Sequence, residues 1–260
     1  MEVLVTGGTG VLGSAVVAEL VSRVHAVRVL TRHPEAVADT ARVVPGSLAS
    51  TGAVAEALDG VDAVVHCATD PRKHRQVDND GTAALLETAL RSGNPHVLYP
   101  GIVGSDVIPL GYYKSKVAAE EMIEASACPH TVLRATQFHT LIWDALDRMV
   151  RFPVMVIPRD TRFQPFDHAV MARLLADAVE SGPRGRMADL GGPMAYEAKD
   201  LATSHRAATG HGRRMIQFNL PGIIGAALRA GGNLTPNRTS DGKTWNDFVA
   251  ERMAESRSQG

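Results

Sequence analysis

A tyrosine and a lysine stand four residues apart at the end of the stretch YPGIVGSDVIPLGYYKSK, as Tyr112 and Lys116. On a helix the two side chains share one face. A phenol beside an ammonium group can give its proton to a carbonyl oxygen, because the positive charge favours the phenolate that remains. The pair therefore predicts the proton donor of a carbonyl reduction, although the same spacing is common on helices without a catalytic role. Tyr113 makes no such pair, since Val117 stands four residues after it.

A glycine-rich run near the N-terminus, GGTGVLG, lies between a short apolar segment and a segment with helical apolar spacing. Its first glycine permits a tight turn, the third lets backbone approach a pyrophosphate, and the last allows close packing of helix on strand. The helix that follows offers free N–H groups and a partial positive charge to phosphates. The run predicts a dinucleotide site made of Gly7, Thr9, Gly10, Val11, Leu12 and Gly13.

The elements that must position these groups alternate through the first half of the chain. Short β-branched runs predict strands at Val3–Thr6, Ala26–Leu30, Arg42–Val44, Ala63–His66, His96–Tyr99 and Thr131–Arg134. Apolar residues at helical spacing predict helices at Val11–Val21, Val54–Leu58, Ala83–Leu90 and Val117–Ala125. This alternation predicts an α/β fold with a doubly wound parallel sheet of the Rossmann type.

After about residue 140 the pattern changes. The spacing predicts helices at Ile142–Val150, Asp167–Val179, Lys199–Thr209, Ile223–Arg229 and Thr244–Met253. Arg151–Pro158 and Met215–Leu220 are typical of extended segments. We therefore expect residues 1–140 to form the NAD(P)-binding Rossmann core. Residues 141–260 are expected to form a small C-terminal α+β substrate lobe that is not an independent domain.

Composition restricts the classes of partner. The 27 basic and 28 acidic residues give a formal net charge of −1, which indicates neither nucleic acid nor an anionic membrane as a partner. No apolar run is long enough to span a bilayer, the N-terminus lacks the features of a signal peptide, and two cysteines are too few for a disulfide framework. No spacing of His, Cys, Asp or Glu fits a metal site. We expect a cytoplasmic monomer or homodimer that acts on a small molecule.

The residue after the second predicted strand indicates which dinucleotide is bound. Sites for NAD usually place a carboxylate there, to hold the ribose 2′-hydroxyl. Here the position is Arg32, whose guanidinium suits the 2′-phosphate of NADP(H). The sequence thus favours NADP(H) over NAD(H), with an ordinary surface arginine as the alternative interpretation.

Several segments together resemble the atypical and extended short-chain dehydrogenases/reductases, most of all the NmrA-like NAD(P)H-binding group. They are the spacing Gly-x-x-Gly-x-x-Gly, DAVVHCATD at the fourth strand, YYKSK, LRATQFH after the sixth strand, and Gly-Gly-Pro at 191–193. The resemblance covers most of the chain. It implies that Lys116 also binds the nicotinamide ribose and that Ser47 approaches the adenine in place of an acidic residue. It further implies a place beside the ribose and diphosphate for Cys67, Ala68 and Thr69, and a place beside the carboxamide for Gln137.

The resemblance also exposes a departure. The family's serine, which binds the substrate oxygen, is replaced by Gly101, and Pro100 before it has no backbone donor. Losing one such donor can cost about 10²–10³ in rate. Thr69 or Ser105 could replace the hydroxyl, the substrate could need less polarisation, as a quinone or enone does, or the tyrosine and lysine could only position cofactor. Gly101 is also expected to leave room for a flat or bulky substrate.

Three functions remain open at this level. The leading hypothesis is an NADPH-dependent reductase of a carbonyl, quinone or enone in an apolar or aromatic small molecule, because few charges accompany the apolar runs of the second half. The first alternative is a redox-sensing regulatory protein that binds NADP(H) without turnover. The second is a non-redox enzyme, such as an epimerase or cyclase. His139 is either a second acid or a loop histidine bonded to backbone.

Overall fold

The computed structural model describes residues 1–235 and 237–258. Pro236, Gln259 and Gly260, which belong to the predicted lobe, lie outside the described residues. The strands are β1 Glu2–Thr6, β2 Ala26–Thr31, β3 Arg42–Pro45, β4 Ala63–His66, β5 His96–Ile102, β6 His130–Ala135, β7 Val154–Pro158, β8 Arg162–Phe163, β9 Gly185–Arg186, β10 Tyr196–Glu197 and β11 Arg214–Phe218.

The α-helices occupy the segments between strands. They are α1 Val11–Ser22, α2 Thr51–Leu58, α3 Gly81–Arg91, α4 Gly111–Ala125, α5 His139–Met149, α6 His168–Ser181, α7 Ala198–Thr209, α8 Gly222–Arg229 and α9 Trp245–Ser258. A short 3₁₀ helix spans Pro34–Ala36, and a π-helix at Arg75–Asp80 runs directly into α3. Every strand and helix predicted above has a counterpart, and most ends agree within three residues. Helix α4 begins six residues earlier than predicted, so that it includes Tyr112, and α9 ends five residues later than predicted.

The central feature is a seven-stranded sheet with the order β3-β2-β1-β4-β5-β6-β9. The pairings of β1 with β2 and β4, of β2 with β3, of β4 with β5 and of β6 with β9 are parallel. Parallel sheets need cover on both faces, and Val3, Leu4 and Val5 of β1 are accordingly fully buried. The predicted Rossmann-type sheet is confirmed. The two-residue edge strand β9 had no counterpart in the sequence prediction.

The contacts divide the chain into two compact units that interleave along the sequence. The first unit comprises residues 1–101, 111–134 and 168–188, and the second comprises 102–110, 135–167 and 189–260. Helix α6 therefore belongs to the first unit, where it packs on α1 through Arg23, which bonds Asp177 and Glu180. The division at residue 140 stays a prediction about domains.

The second unit has its own core and two small sheets. Strands β7 and β11 pair in parallel, and β8 pairs with β10 in antiparallel. The core is aromatic: Trp143 lies 6.2 Å from Trp245 between ring centroids, and Phe248 packs against both. Helix α7 ends at Gly210, whose φ of +69° suits a glycine at the end of a helix. Among the described residues, the helices are too short or too polar to cross a lipid bilayer.

Candidate active site

The glycine loop fits a dinucleotide diphosphate. Gly7 has a φ of +68°, and a Cβ there would lie 2.7 Å from the Cα of Ala68. A Cβ on Gly13 would lie 2.7 Å from the carbonyl carbon of Gly7, so the loop closes tightly on the start of α1. Gly10 precedes α1 without a side-chain cap, and the first turn carries no acidic residue. The first N–H groups of a helix have no partner inside the helix, so this end can receive an anion.

The other predicted cofactor contacts of the first unit follow the carboxyl ends of neighbouring strands. Arg32 comes directly after β2 and is exposed, Ser47 follows β3, and Cys67 to Thr69 follow β4. Since ligands of parallel sheets bind outside the carboxyl ends of strands, one edge presents all these residues with the glycine loop. The pKa of Asp70 is lowered mainly by a hydrogen bond from the backbone N–H of Arg72. The positive charge of Arg32 makes a smaller contribution in the same direction.

Cys67 is not suited to nucleophilic chemistry. Burial raises the pKa of its thiol to about 12, and the nearby charge of Lys116 offsets only part of that effect. The thiolate is the reactive form of cysteine, and at neutral pH this side chain stays a thiol. Its backbone N–H bonds the carbonyl of Thr6 at 3.1 Å, so Cys67 helps to hold the loop in place.

Lys116 lies in a buried polar cluster on the inner face of α4. The residue is 4% exposed, and its ammonium nitrogen is 3.1 Å from the hydroxyl of Tyr99 and 3.4 Å from the Oδ1 of Asp78. The nitrogen also lies 4.6 Å from the centroid of the Tyr99 ring. Burial lowers the pKa of Lys116, but Tyr99, Tyr112 and Asp78 outweigh burial and raise it. The side chain therefore carries a positive charge at every physiological pH.

Tyr112, one turn before Lys116, is joined to the same cluster through Thr69. The Oγ1 of Thr69 donates to the Oδ1 of Asp78 at 2.7 Å and lies 2.9 Å from the hydroxyl oxygen of Tyr112. A threonine hydroxyl has one hydrogen, which here goes to the carboxylate. Tyr112 must therefore be the donor in its bond with Thr69. For the same reason Thr69 can accept from a ligand but cannot serve as the replacement donor considered above.

A second chain of hydrogen bonds runs beneath this cluster, and we call it the histidine chain. The Nδ1 of His66 lies 2.6 Å from the Oγ1 of Thr6, and its Nε2 lies 2.9 Å from the Oγ1 of Thr82. Thr82 donates its own hydrogen to the carbonyl of Asp78, so His66 donates through Nε2 and accepts through Nδ1. Burial, aided by the charge of Lys116, lowers the pKa of His66 to about 3, which keeps it neutral. The histidine chain connects the strand before the glycine loop with Asp78.

Comparison with known proteins identifies the family of this chain. The model of a family described as NAD(P)H-binding matches residues 7–141, just over half of the 260 residues. The chain belongs to this NAD(P)H-binding family. This match confirms the NAD(P)H-binding part of the resemblance described above. The choice between NADH and NADPH stays a prediction.

Individual relatives of this NAD(P)H-binding protein are distant. It is 25% identical to protein Rv2047c of Mycobacterium tuberculosis over 228 residues, which are 85% of this chain and 24% of that protein. The chain thus spans about a quarter of that relative's length. It is also 25% identical to the photosystem II assembly factor Ycf39 of Trieres chinensis, over 77% of this chain and 67% of that protein.

Among solved structures, the NADPH-dependent quinone oxidoreductase QOR2 of Escherichia coli, complexed with NADPH, is similar with a TM-score of 0.78. The alignment covers 96% of this chain and 99% of QOR2, at 18% sequence identity. At that identity the likeness shows the fold alone.

Gly101 in this NAD(P)H-binding protein serves packing, which corrects the expectation that it leaves room for substrate. A Cβ on Gly101 would lie 2.8 Å from the Cγ of Arg134 and closer still to the Oε1 of Glu120. Glu120 is fully buried and binds Arg134 through several hydrogen bonds, the shortest 2.6 Å. A serine here would point into this ion pair.

The remaining predicted residues belong to the second unit. Gln137 is 7% exposed, and its Oε1 accepts a hydrogen bond from the Nδ2 of Asn233 at 3.4 Å. His139 is buried, with its ring stacked 5.1 Å from Phe248 between centroids, so it is a core residue of that unit. Among the described residues, no hydrogen-bond partner meets the buried Nε2 of Gln137 or the buried Oγ of Ser105.

Sequence reasoning missed two members of the buried cluster, Asp78 and Tyr99. Asp78 lies between the predicted strand Ala63–His66 and the predicted helix Ala83–Leu90, and Tyr99 lies at the end of the predicted strand His96–Tyr99. The available signal was a carboxylate four residues before Thr82, at the start of an apolar helix, where a charged side chain on the buried face needs a partner. Tyr99 was included in a strand as one more large apolar residue, although a buried phenol also needs a hydrogen-bond partner.

Proposed function

We propose that the protein is an NADPH-dependent reductase of a quinone, an enone or another carbonyl in an apolar or aromatic small molecule. The observation that carries the proposal is the arrangement of Tyr112, whose hydroxyl is a donor, one turn from the buried charge of Lys116. A site that only senses the cofactor needs no proton donor. Tyr112 and Lys116 lie in the same compact unit as the glycine loop.

The side chains divide the work of reduction between them. When NADPH is bound, it supplies a hydride to the carbonyl carbon or to the conjugated carbon of an enone. Tyr112 turns its proton from Thr69 to the substrate oxygen, which completes an alcohol from a carbonyl or an enol from an enone or quinone. The enol then tautomerises to the saturated ketone or to the hydroquinone, and a solvent proton restores the phenol. The charge of Lys116 stabilises the phenolate in the interval. Asp78 and Tyr99 hold that charge in place.

The number of donors supports the substrate class. Gly101 has no hydroxyl, and the hydrogen of Thr69 is committed to Asp78, so Tyr112 is the donor that these residues of the first unit offer. An unactivated ketone usually needs two donors to polarise it, whereas quinones and enones accept a hydride with less help. We therefore place quinones and enones ahead of simple ketones.

Arg32 supports NADPH as the reductant. It is exposed after β2, where a guanidinium can bind a 2′-phosphate with charge-assisted hydrogen bonds. We expect Arg32→Ala to weaken NADPH binding by about 10–100-fold, since a hydrogen bond to a charged group contributes about 1.5–3 kcal/mol. NADH binding, measured in parallel by calorimetry, should stay nearly constant. An equal loss for both cofactors would contradict the role of Arg32.

The proposal is tested by following NADPH oxidation at 340 nm with benzoquinones, naphthoquinones, cyclic enones and diketones. Tyr112→Phe should lower the turnover rate by at least about 100-fold, within the range for general acid catalysis, and leave NADPH binding unchanged. Tyr113→Phe is the matched control and should keep the parent's rate. Bound NADPH that none of these substrates oxidises, or oxidation that survives in Tyr112→Phe, would overturn the proposal.

A second candidate is a regulatory protein that binds NADP(H) without turnover. Two observations favour it: the absence of a hydroxyl at Gly101 and the 25% identity to Ycf39, whose name describes an assembly factor. Under this function Tyr112→Phe would leave every measurable property of the bound cofactor unchanged. Cofactor-dependent capture of a protein partner, with no substrate oxidising NADPH, would support this candidate.

A further inference from the structure

The Tyr112 proton has a fixed place in the first unit, and the residues that fix it suggest a role beyond the reductase site itself. The phenol donates to Thr69 at 2.9 Å, and Thr69 donates to the fully buried Asp78 at 2.7 Å. The Oδ2 of Asp78 also accepts the backbone N–H of Asp70 at 3.3 Å. Thr69 is thereby held at both its side chain and the backbone of the following residue.

We propose that Thr69 and Asp78 are positioning residues that keep Tyr112 protonated, and so set the site to reduce its substrate rather than to oxidise an alcohol. The inference rests on the proposed function. Reduction consumes the proton of Tyr112, because the carbonyl oxygen must gain it as the carbon gains the hydride. Oxidation of an alcohol would instead need the phenolate to take that proton away.

Hydrogen bonding is the first reason. A bond that the phenol donates exists only in its protonated form, so the acceptor Thr69 stabilises that form. The acceptor role of Thr69 is itself enforced, because the only hydrogen of this hydroxyl goes to Asp78. Without Asp78, Thr69 could rotate, donate to Tyr112 and stabilise the phenolate instead.

Charge balance is the second reason. An ammonium group beside a phenol favours the phenolate, and Lys116 is buried where solvent screens it little. Asp78 lies 3.4 Å from that ammonium and offsets its charge. The pair thus presents a small net charge to Tyr112, while Lys116 remains available once a phenolate forms.

Other titratable groups lie near Tyr112, but they do not take the place of Thr69 and Asp78. The ring of His74 lies edge-on, 6.5 Å from that of Tyr112, but its Nδ1 is 2.6 Å from the Oγ of Ser115. The Tyr113 ring lies 6.1 Å away. Burial raises the pKa of Tyr99 to about 12, so that phenol stays neutral across the accessible pH range.

The test uses nuclear magnetic resonance of the full chain carrying ¹³Cζ-tyrosine, without cofactor or substrate. The chain has four tyrosines, and loss of one signal in Tyr112→Phe assigns the resonance of Tyr112. In Thr69→Val and in Asp78→Asn we expect the resonance of Tyr112 to change at a lower pH than it does in the parent. Thr69→Ser is the matched control, since it keeps the hydroxyl, and should titrate as the parent does.

The outcomes separate this proposal from the reductase function. Titration of Tyr112 at the parent's pH in Thr69→Val, or in Asp78→Asn, would overturn the role of that residue even in an active reductase. A lower titration pH in a protein that oxidises no NADPH would keep the proton-holding role and overturn the reductase function. Thr69 is exposed, so Thr69→Val against Thr69→Ser decides the question even where Asp78→Asn fails to fold.

Discussion

Two buried ion pairs lie on the same face of α4, and their geometries differ. The pair of Lys116 and Asp78 makes one contact at 3.4 Å, and both members have further partners among uncharged hydroxyls. The pair of Glu120 and Arg134 makes three hydrogen bonds of 2.6–3.1 Å, and Arg186 adds another at 3.0 Å. A pair with one long contact keeps an ammonium that can still stabilise a new negative charge on a neighbour, whereas a tight, multiply bonded pair fixes a helix in place.

The comparison teaches how one helix meets two demands. Lys116 must stabilise charge that appears on Tyr112 only during reaction, so its own partner cannot hold it too firmly. Glu120, one turn further along, anchors α4 to β6 through Arg134 and to β9 through Arg186. Removing the second pair should therefore destabilise the protein, and altering the first should change its chemistry.

The largest expected effect is on stability, in Glu120→Gln. The substitution keeps the shape but removes the buried carboxylate charge that both Arg134 and Arg186 bond. Breaking a buried pair in this way costs about 3–5 kcal/mol of the free energy of unfolding, which urea denaturation measures. Glu124→Gln is the control, because Glu124 bonds Arg186 in a partly exposed pair and its loss should cost about 1 kcal/mol or less. Equal losses for both variants would contradict the anchoring role.

A smaller loss is expected for Gly101→Ser, which restores the family's residue. The new side chain would meet Glu120 and Arg134, and overpacking of this kind costs about 1–3 kcal/mol. Turnover should not rise, because the hydroxyl would point at the ion pair. Gly52→Ser in α2 is the matched control, since a Cβ there meets no atom of the residues that the structure describes within 4 Å. A Gly101→Ser protein that is as stable as the parent and reduces its substrate faster would refute this account.

The smallest expected effect concerns pH and the histidine chain beneath the loose pair. Burial lowers the pKa of His66 to about 3, so between that pH and about 6.5 the unfolded chain binds a proton that the folded chain does not. The free energy of unfolding therefore falls as the pH is lowered. Between pH 7.5 and pH 5.5, His66 alone should account for a loss of about 1.4 kcal/mol. Glutamine at this position keeps a hydrogen-bond donor and an acceptor but does not titrate. The acid loss of stability in His66→Gln should therefore be smaller than in the parent by that amount.

Urea denaturation of both proteins at pH 7.5 and pH 5.5 measures the difference. His96, whose pKa burial lowers to about 4, titrates in both proteins and cancels in the comparison. If the parent and His66→Gln lost the same free energy of unfolding between the two pH values, protonation of His66 would not contribute to acid destabilisation.

The sequence sufficed for features that local pattern determines. The strands of the large sheet, the glycine loop and the spacing of Tyr112 and Lys116 all follow from runs of a few residues. Strand β9 escaped prediction because two residues, Gly185 and Arg186, carry no pattern of their own and pair only because β6 offers a free edge. Helix α6 was predicted, but its place in the first unit depends on its packing against α1.

The candidate site was predictable only in part, for the same physical reason. Asp78 lies in a π-helix and from there contacts Thr69 and Lys116. The spacing of residues in the sequence does not predict the wider turn of a π-helix. Tyr112 is the donor in its hydrogen bond with Thr69 because Asp78 accepts the hydroxyl hydrogen of Thr69. The packing role of Gly101 depends on Glu120, nineteen residues later, and on Arg134 in another strand.

The histidine chain also has an evolutionary consequence. Thr6, His66 and Thr82 are buried and complete one another's hydrogen bonds, so losing one member leaves a neighbour unbonded at a cost of about 1–3 kcal/mol. Drift at any of the three positions is therefore penalised unless a second changes with it. In a population of descendants these positions should vary jointly, as a single inherited character, while the surface around them diverges freely.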